Sequence, residues 1–251
     1  MPQTRSIPGW VISDSYEDEE LGTLRAGKEA GCFLVRRTSG DRWCLLVRKD
    51  YRKRSDREYS APVRAGERAI RRDAYEQGVI TASPWRIDGR LRRAVAKRTR
   101  FGYEVMEDIW AAREFATLRH LWEAGASVPY PVEQTHHAFF MQYVGTRGAA
   151  APRLADLRPE RAEAAVIFDR LVEELRIFVR EGIVHADLSE YNVFVQHGRP
   201  WIIDVPQAVD LYAHPRARDH FTWDVTRLCR FFERRGVTCD ARELIAELLE
   251  T

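Results

Sequence analysis

The sequence predicts an α+β chain in two lobes, a small β-rich one, then a linker, then a mostly helical one. Three observations carry that reading. Two apolar runs, 32–35 and 43–47, flank the turn signal Thr38-Ser39-Gly40-Asp41 and read as a β-hairpin. The segment 146–158, with its glycine, alanines and prolines, reads as a linker. Beyond it, Ala164, Ile167, Phe168, Leu171, Leu175 and Phe178 recur on one face of a helix over 160–180.

The remaining elements fall around these. Residues 1–20 read as a flexible acidic tail, with five acids against one base. The first lobe spans 21–144 and contains a basic loop at about 52–100. A helix is predicted over 103–124, its apolar face set by Val105, Ile109, Ala112 and Ala116 and its end by Gly125. A short strand follows at 138–144. The second lobe, 145–251, carries two strands (193–196 and 200–203), a helix near 217–235, and a last helix. Asp240 caps that last helix, with Glu243 three residues on.

Composition excludes several classes. With 45% hydrophobic and 31% charged residues in a chain of 251, there is enough apolar side chain for one or two cores. No apolar run approaches the roughly eighteen residues of a membrane span, and residues 1–20 lack the pattern of a signal peptide. Four cysteines (Cys32, Cys44, Cys229, Cys239) lie far apart without a C-x-x-C pair. Reduced thiols in the cytoplasm are therefore expected, with neither a zinc site nor a disulfide framework. The net charge of +2 hides an asymmetry: residues 48–100 carry seventeen Lys or Arg against seven acids. A solvated loop and a loop that meets polyanions both fit this stretch.

The chemistry lies in His185-Ala186-Asp187-Leu188-Ser189-Glu190-Tyr191-Asn192, followed by the apolar strand Trp201-Ile202-Ile203 ending in Asp204. An aspartate, an amide five residues later and a carboxylate at a strand end suit phosphoryl transfer, where the protein positions groups and neutralises charge. Asp187 would orient the attacking hydroxyl and accept its proton. Asn192 and Asp204 would offer hard oxygens to Mg²⁺ on nucleotide phosphates. Upstream, Gly27, Lys28, Glu29 and Ala30 open the first hairpin strand, where backbone amides would cradle phosphates. Lys49 ends the second strand on the face of Leu45 and Val47, so alternation selects it over Arg48, Arg52 and Lys53 as the phosphate lysine. Glu114, in Trp110-Ala111-Ala112-Arg113-Glu114, is the candidate carboxylate to hold it.

Taken together, these residues resemble the RIO family of atypical protein kinases, over roughly 22–235. The carrying segments are Gly27-Lys28-Glu29-Ala30, Lys49-Asp50-Tyr51, Trp110-Ala111-x-x-Glu114, Ala151-Pro152-x-Leu154, Val184 to Asn192, and Ile202-Ile203-Asp204-Val205-Pro206-Gln207. The resemblance is to members with the kinase-like domain alone. It implies a bilobal protein-kinase-like fold with a reduced C-lobe lacking the usual peptide-binding region. It also implies ATP and Mg²⁺ (or Mn²⁺) binding, and either Ser/Thr phosphorylation or an ATPase switch. Carried over, Lys49 binds phosphates, Glu114 pairs with it, and Met141 lines the adenine pocket beside a hinge of Gln142, Tyr143 and Val144. Asp187 is then catalytic, Asn192 and Asp204 hold the metal, and Asp204 is a transient phosphoryl acceptor. In eukaryotic and archaeal relatives the partner is the maturing small ribosomal subunit, which the 48–100 stretch would meet.

This chain departs from the family where Arg25-Ala26 replaces Ser-Thr and Gly31-Cys32 replaces a polar-Val pair. Ala186 stands where many kinases read a phosphorylated activation loop with Arg, which argues against that regulation. Only 47 residues follow Asp204, too few for the usual peptide-presenting helices. Two other readings stay open, an aminoglycoside-type small-molecule phosphotransferase and a nucleotide-dependent RNA- or ribosome-binding module with little turnover. His136-His137 reads as a solvated turn, and Trp43, Trp110, Trp122, Trp201 and Trp223 as packing residues.

Overall fold

A computed structural model describes residues 7–12, 15–26, 30–51 and 100–250. Two compact units divide the chain, meeting in sequence between Tyr143 and Val144, with His120–Pro129 also in the second unit. That last segment was expected in the first lobe; it is held instead by residues of the second, as described below.

The first unit is built on an antiparallel sheet of β1 (Glu17–Ala26), β2 (Ala30–Ser39), β3 (Arg42–Tyr51), β4 (Pro131–Gln134) and β5 (Ala138–Gln142), in the order β1-β2-β3-β5-β4. Ser39 faces Arg42 across the β2–β3 turn, and Gly40 has φ 59° there. A two-residue turn of this hand matches the twist of the strands, and glycine enters it without steric cost. Val11, Val35, Leu46 and Phe140 form a core cluster on one face, with Ile7, Trp10, Cys44 and Val132 against it. Burying each such side chain contributes about 1.5–3 kcal/mol.

The acidic tail expected through residue 20 is corrected by β1 and by a 3₁₀ turn at Gly9–Val11. The cause is Arg37, fully buried on β2. Asp18 accepts from its Nε and Nη2 at 2.8 and 2.7 Å, the Val11 carbonyl from Nη1 at 2.9 Å, and Glu133 from Nη2 at 3.0 Å. Tyr16 stacks on the guanidinium at 3.5 Å. A buried charge needs such partners, so part of the acidic run is counter-ion.

Helix α1 (Arg100–Glu123) starts and ends close to the expected bounds but faces elsewhere. Its buried positions are Glu107, Trp110, Ala111, Glu114, Leu118 and Leu121, while Ala116 is exposed and Ile109 and Ala112 are half-buried. Two buried glutamates interrupt the apolar period, so hydrophobicity alone selected the wrong stripe.

The second unit holds α2 (Arg161–Arg180), β6 (Ile183–Val184) paired with β9 (Val209–Asp210), and the hairpin of β7 (Val193–Gln196) and β8 (Arg199–Ile202). His197 and Gly198, with φ 52° and 70°, make its tight turn. Helices α3 (Ala217–Glu233) and α4 (Ala241–Leu249) follow. Asp240 caps α4, accepting from the amides of Arg242 and Glu243 at 2.8 and 3.2 Å. The loop 124–129 is fixed within this unit. Ser127 donates its amide to the buried Glu174 of α2 at 2.6 Å, and its carbonyl accepts from Ile202 of β8 at 2.9 Å.

Cys229 and Cys239 form a disulfide with Cα atoms 5.5 Å apart, which corrects the expectation of reduced thiols at these two positions. Gly236, at φ 78°, turns the chain after α3 and returns Cys239 to the helix, a proximity that sequence spacing does not reveal. Cys32 and Cys44 take no part in a disulfide. Trp43 and Trp223, expected to pack, are 40% and 45% exposed, while Trp110 is buried and His136 and His137 are exposed. Among the described residues no helix is long and apolar enough to cross a membrane.

Candidate functional site

In the first unit, strand alternation buries Val47, Lys49 and Tyr51 and turns Arg48 to the other face, where it pairs with Glu20 and Asp50, each at 2.9 Å. Lys49 Nζ donates to Glu114 Oε1 at 2.7 Å, and the Tyr51 hydroxyl donates to Glu114 Oε2. The ammonium and the carboxylate side chains are 6% and 1% exposed, so neither is at ease without the other. Cys32 lies opposite Lys49 in the β2–β3 register. Ala30, at the start of β2, is buried opposite Tyr51. Gly27, Lys28 and Glu29 lie outside the described residues, as does the basic stretch 52–99.

Met141 sits on β5 opposite Val47 and is half-buried. The Gln142 amide donates to the Tyr130 carbonyl at 2.9 Å. Tyr143 is half-buried and ends the first unit; Val144 is buried and opens the second, its carbonyl accepting from Ala151 at 3.0 Å.

The acid loop of the second unit is held from beneath. His185 is fully buried between β6 and the loop. Its Nε2 bonds the Ile203 carbonyl at 3.1 Å and its Nδ1 accepts from the Asp187 amide at 3.3 Å, a pattern that assigns the neutral Nε2–H tautomer. Burial lowers its pKa, against the pull of the Ile203 carbonyl and the charges of Asp187 and Asp204. Asn192 donates Nδ2 to the Asp187 carbonyl at 3.0 Å, and its own carbonyl accepts from the Ile203 amide at 3.0 Å. His185 and Asn192 thus grip Ile203 from two sides and fix the backbone that leads into Asp204. Asp204 has φ 66° and Ala186 φ 65°. A left-handed alanine is strained by about 1–2 kcal/mol and persists only where its surroundings enforce it.

What enforces it is Asp224, a residue the sequence reading missed. Buried on α3, it accepts from the amides of Ala186 and Leu188, both at 2.8 Å. Burial pushes its pKa up to about 8, against those two amides and the nearby Arg227. One turn further on, Arg227 reaches Asp187 Oδ1 at 3.3 Å and the Leu188 carbonyl at 3.2 Å. The signal that would have found Asp224 is a carboxylate inside the apolar stripe of α3, between Phe221, Val225 and Leu228. Such a position is rarely acidic without a partner.

Asn192 spends its amide nitrogen on the Asp187 backbone; its side-chain oxygen and the half-buried Asp204 carboxylate are the hard oxygens that would hold a cation here. Among the described residues no three His, Cys, Asp or Glu side chains converge to hold an ion by themselves. A two-oxygen donor set suits a cation such as Mg²⁺, which keeps waters and takes substrate phosphates for the rest of its shell.

Residues 86–244 match the family model of the RIO domain. The chain belongs to the RIO family. The RIO-type serine/threonine-protein kinase Rio1 of Haloferax volcanii is 35% identical over 235 residues, covering 93% of this chain and 70% of that one. The serine/threonine-protein kinase rio1 of Schizosaccharomyces pombe is 27% identical over 240 residues, 95% of this chain but 43% of its own length. A Thermoplasma acidophilum relative of the RIO type is 33% identical over 132 residues, 53% of this chain and 68% of that one. The α+β, kinase-like architecture of a RIO domain accords with the antiparallel sheet of the first unit and the helices of the second.

Proposed function

We propose that this RIO domain transfers the γ-phosphoryl group of ATP to a serine or threonine hydroxyl of a protein, with a divalent cation. The observation that carries the reading is the loop 185–192, whose backbone is pinned by Asp224, His185 and Asn192 while the Asp187 carboxylate stays partly exposed. Catalysis of this class rests on positioning, and a loop held in a strained geometry supplies it.

In this reading Asp187 orients the acceptor hydroxyl and takes its proton, and Arg227 holds the carboxylate at its Oδ1. Lys49, kept in place by Glu114 and Tyr51, contacts the nucleotide phosphates. Met141, Gln142, Tyr143 and Val144 receive the base, and Gly27, Lys28, Glu29 and Ala30 cover the phosphates. Asn192 and Asp204 hold the metal, Mg²⁺ or Mn²⁺. The bound cation would neutralise phosphate oxygens as charge moves to the leaving group. The family match weighs against an aminoglycoside-type phosphotransferase. Contact of residues 48–100 with RNA or a ribosomal subunit is supported by charge alone; its test is binding that weakens steeply with salt.

The experiment is a phosphotransfer and ATP-hydrolysis assay with Mg²⁺ or Mn²⁺ on the native chain and on Asp187→Ala. The expected loss of turnover is about 10²–10⁴-fold, with nucleotide affinity retained. Undiminished turnover in Asp187→Ala removes the assignment.

A further inference from the structure

Next to the acid loop, on the second unit, three guanidinium groups crowd one spot. Arg158 donates Nη1 to the Leu157 carbonyl at 3.0 Å, and Arg235 donates Nη2 to the same oxygen at 3.3 Å. Two cations on one acceptor repel each other, and nothing about a carbonyl dipole offsets two full charges. Arg234, 66% exposed, lies 3.9 Å from Glu190 of the acid loop. Burial depresses the pKa of Arg235, and Arg158 and Arg234 depress it further; Glu190 is the opposing charge. Arg235 is fixed for structural reasons: it lies flat on Phe231 at 3.4 Å and donates to the Phe231 carbonyl at 3.0 Å. Its Nε is buried without a hydrogen-bond partner. Arg158 and Arg234 are the members that reach solvent.

We propose that Arg158 and Arg234, backed by Arg235, dock an acidic side chain of the protein substrate. The cluster adjoins the acid loop through Glu190, the carboxylate nearest Arg234. Arg153, which would extend the cluster toward the exposed Tyr191, is already paired with Asp156 at 2.7 and 3.0 Å. A nucleic-acid backbone calls for a line of cations, whereas a single carboxylate calls for a knot of them. The docking site deepens the kinase reading and rests on it for the identity of the acceptor.

The test uses three labelled serine peptides that carry Glu, Gln or Lys at the positions flanking the serine and are otherwise identical. Binding is read by fluorescence anisotropy and phosphorylation by phosphotransfer, on the native chain, Arg158→Gln/Arg234→Gln and Arg158→Glu/Arg234→Glu. The native chain should prefer the Glu peptide. The Gln pair should weaken that peptide's binding about 2- to 30-fold, the effect of losing two exposed ion pairs. The Glu pair should reverse the preference toward Lys, and ATP hydrolysis without peptide should stay at the native rate in both variants. A preference that reverses while no peptide is phosphorylated supports the docking site and sinks the kinase reading alone. Equal binding of all three peptides to the native chain overturns the proposal. So does displacement of the Glu peptide by a single-stranded RNA oligonucleotide at Arg158 and Arg234, which would make the cluster a nucleic-acid contact.

Discussion

Each unit of the molecule buries one carboxylate behind the residues expected to act on phosphate, and the two are satisfied in opposite ways. Glu114 in the first unit is met by a full positive charge, Lys49 Nζ at 2.7 Å, and by the Tyr51 hydroxyl. Asp224 in the second is met by two backbone amides, each at 2.8 Å, and only at a remove by Arg227. The first arrangement fixes a side chain, the lysine. The second fixes a stretch of backbone and so sets where the Asp187 and Leu188 amides and carbonyls point. An ion pair in a dry environment is strong but brittle, because either partner alone is costly. An acid buried without a counter-charge is raised to a pKa of about 8 by its burial, against the pull of the two amides, so it answers to pH.

The largest effect should therefore come from splitting the ion pair. Glu114→Ala leaves the Lys49 ammonium buried without its counter-charge and should lower stability by about 3–5 kcal/mol in urea unfolding. Lys49→Met/Glu114→Leu, which removes both charges, should recover most of that loss while phosphotransfer stays abolished. If the double variant is as unstable as the single one, the pair is not what holds the β3–α1 contact.

Next comes Asp224→Asn. Asparagine puts an NH₂ donor where one of the two side-chain oxygens accepts, so the Ala186 or Leu188 amide loses its partner, at about 1–3 kcal/mol. Turnover should fall through kcat with little change in KM for ATP, since the loop backbone shifts and the first unit does not. The pH dependence separates this residue from Glu114 more sharply. A native pKa of about 8 against an unfolded value near 4 means that the native state holds an extra proton between those limits. Stability should then fall as pH rises from about 4 to 8, by up to about 1.4 kcal/mol per unit from this group. Urea midpoints at pH 5, 6, 7 and 8 should show that slope in the native chain and lose it in Asp224→Asn. An unchanged slope would assign it elsewhere. His185 works in the other direction: its depressed pKa removes stability as pH drops below about 6.5, where the unfolded imidazole takes a proton. Its share should persist in Asp224→Asn.

The contrast also explains what the sequence made legible. Strand alternation placed Lys49 on the buried face, and spacing placed Asp187, Asn192 and Asp204 on one short loop and strand, because both are local rules. Its reading of 1–20 as a tail failed because the partner of Asp18 is Arg37, nineteen residues away, and no local pattern announces a buried arginine. The face of α1 was misjudged because Glu107 and Glu114 sit where apolar residues were sought. Asp224 escaped for the same reason. Buried acids are placed by tertiary partners, and periodicity sees only the apolar part of a helix face.

The smallest expected effect probes the strain that the amide-bound acid maintains. Ala186 is held at φ 65° by the hydrogen bond from its amide to Asp224. Glycine adopts that conformation without the Cβ penalty but gains freedom in the unfolded chain, so Ala186→Gly should change stability by no more than about 1 kcal/mol, in the stabilising direction. Combined with Asp224→Asn, the two terms should not add. Once the amide contact is weakened, the loop relaxes out of the left-handed region and glycine has no strain left to relieve. A stabilisation by Ala186→Gly of equal size in both backgrounds would show that the strain belongs to the β6-to-loop turn alone, and that Asp224 merely rests against it.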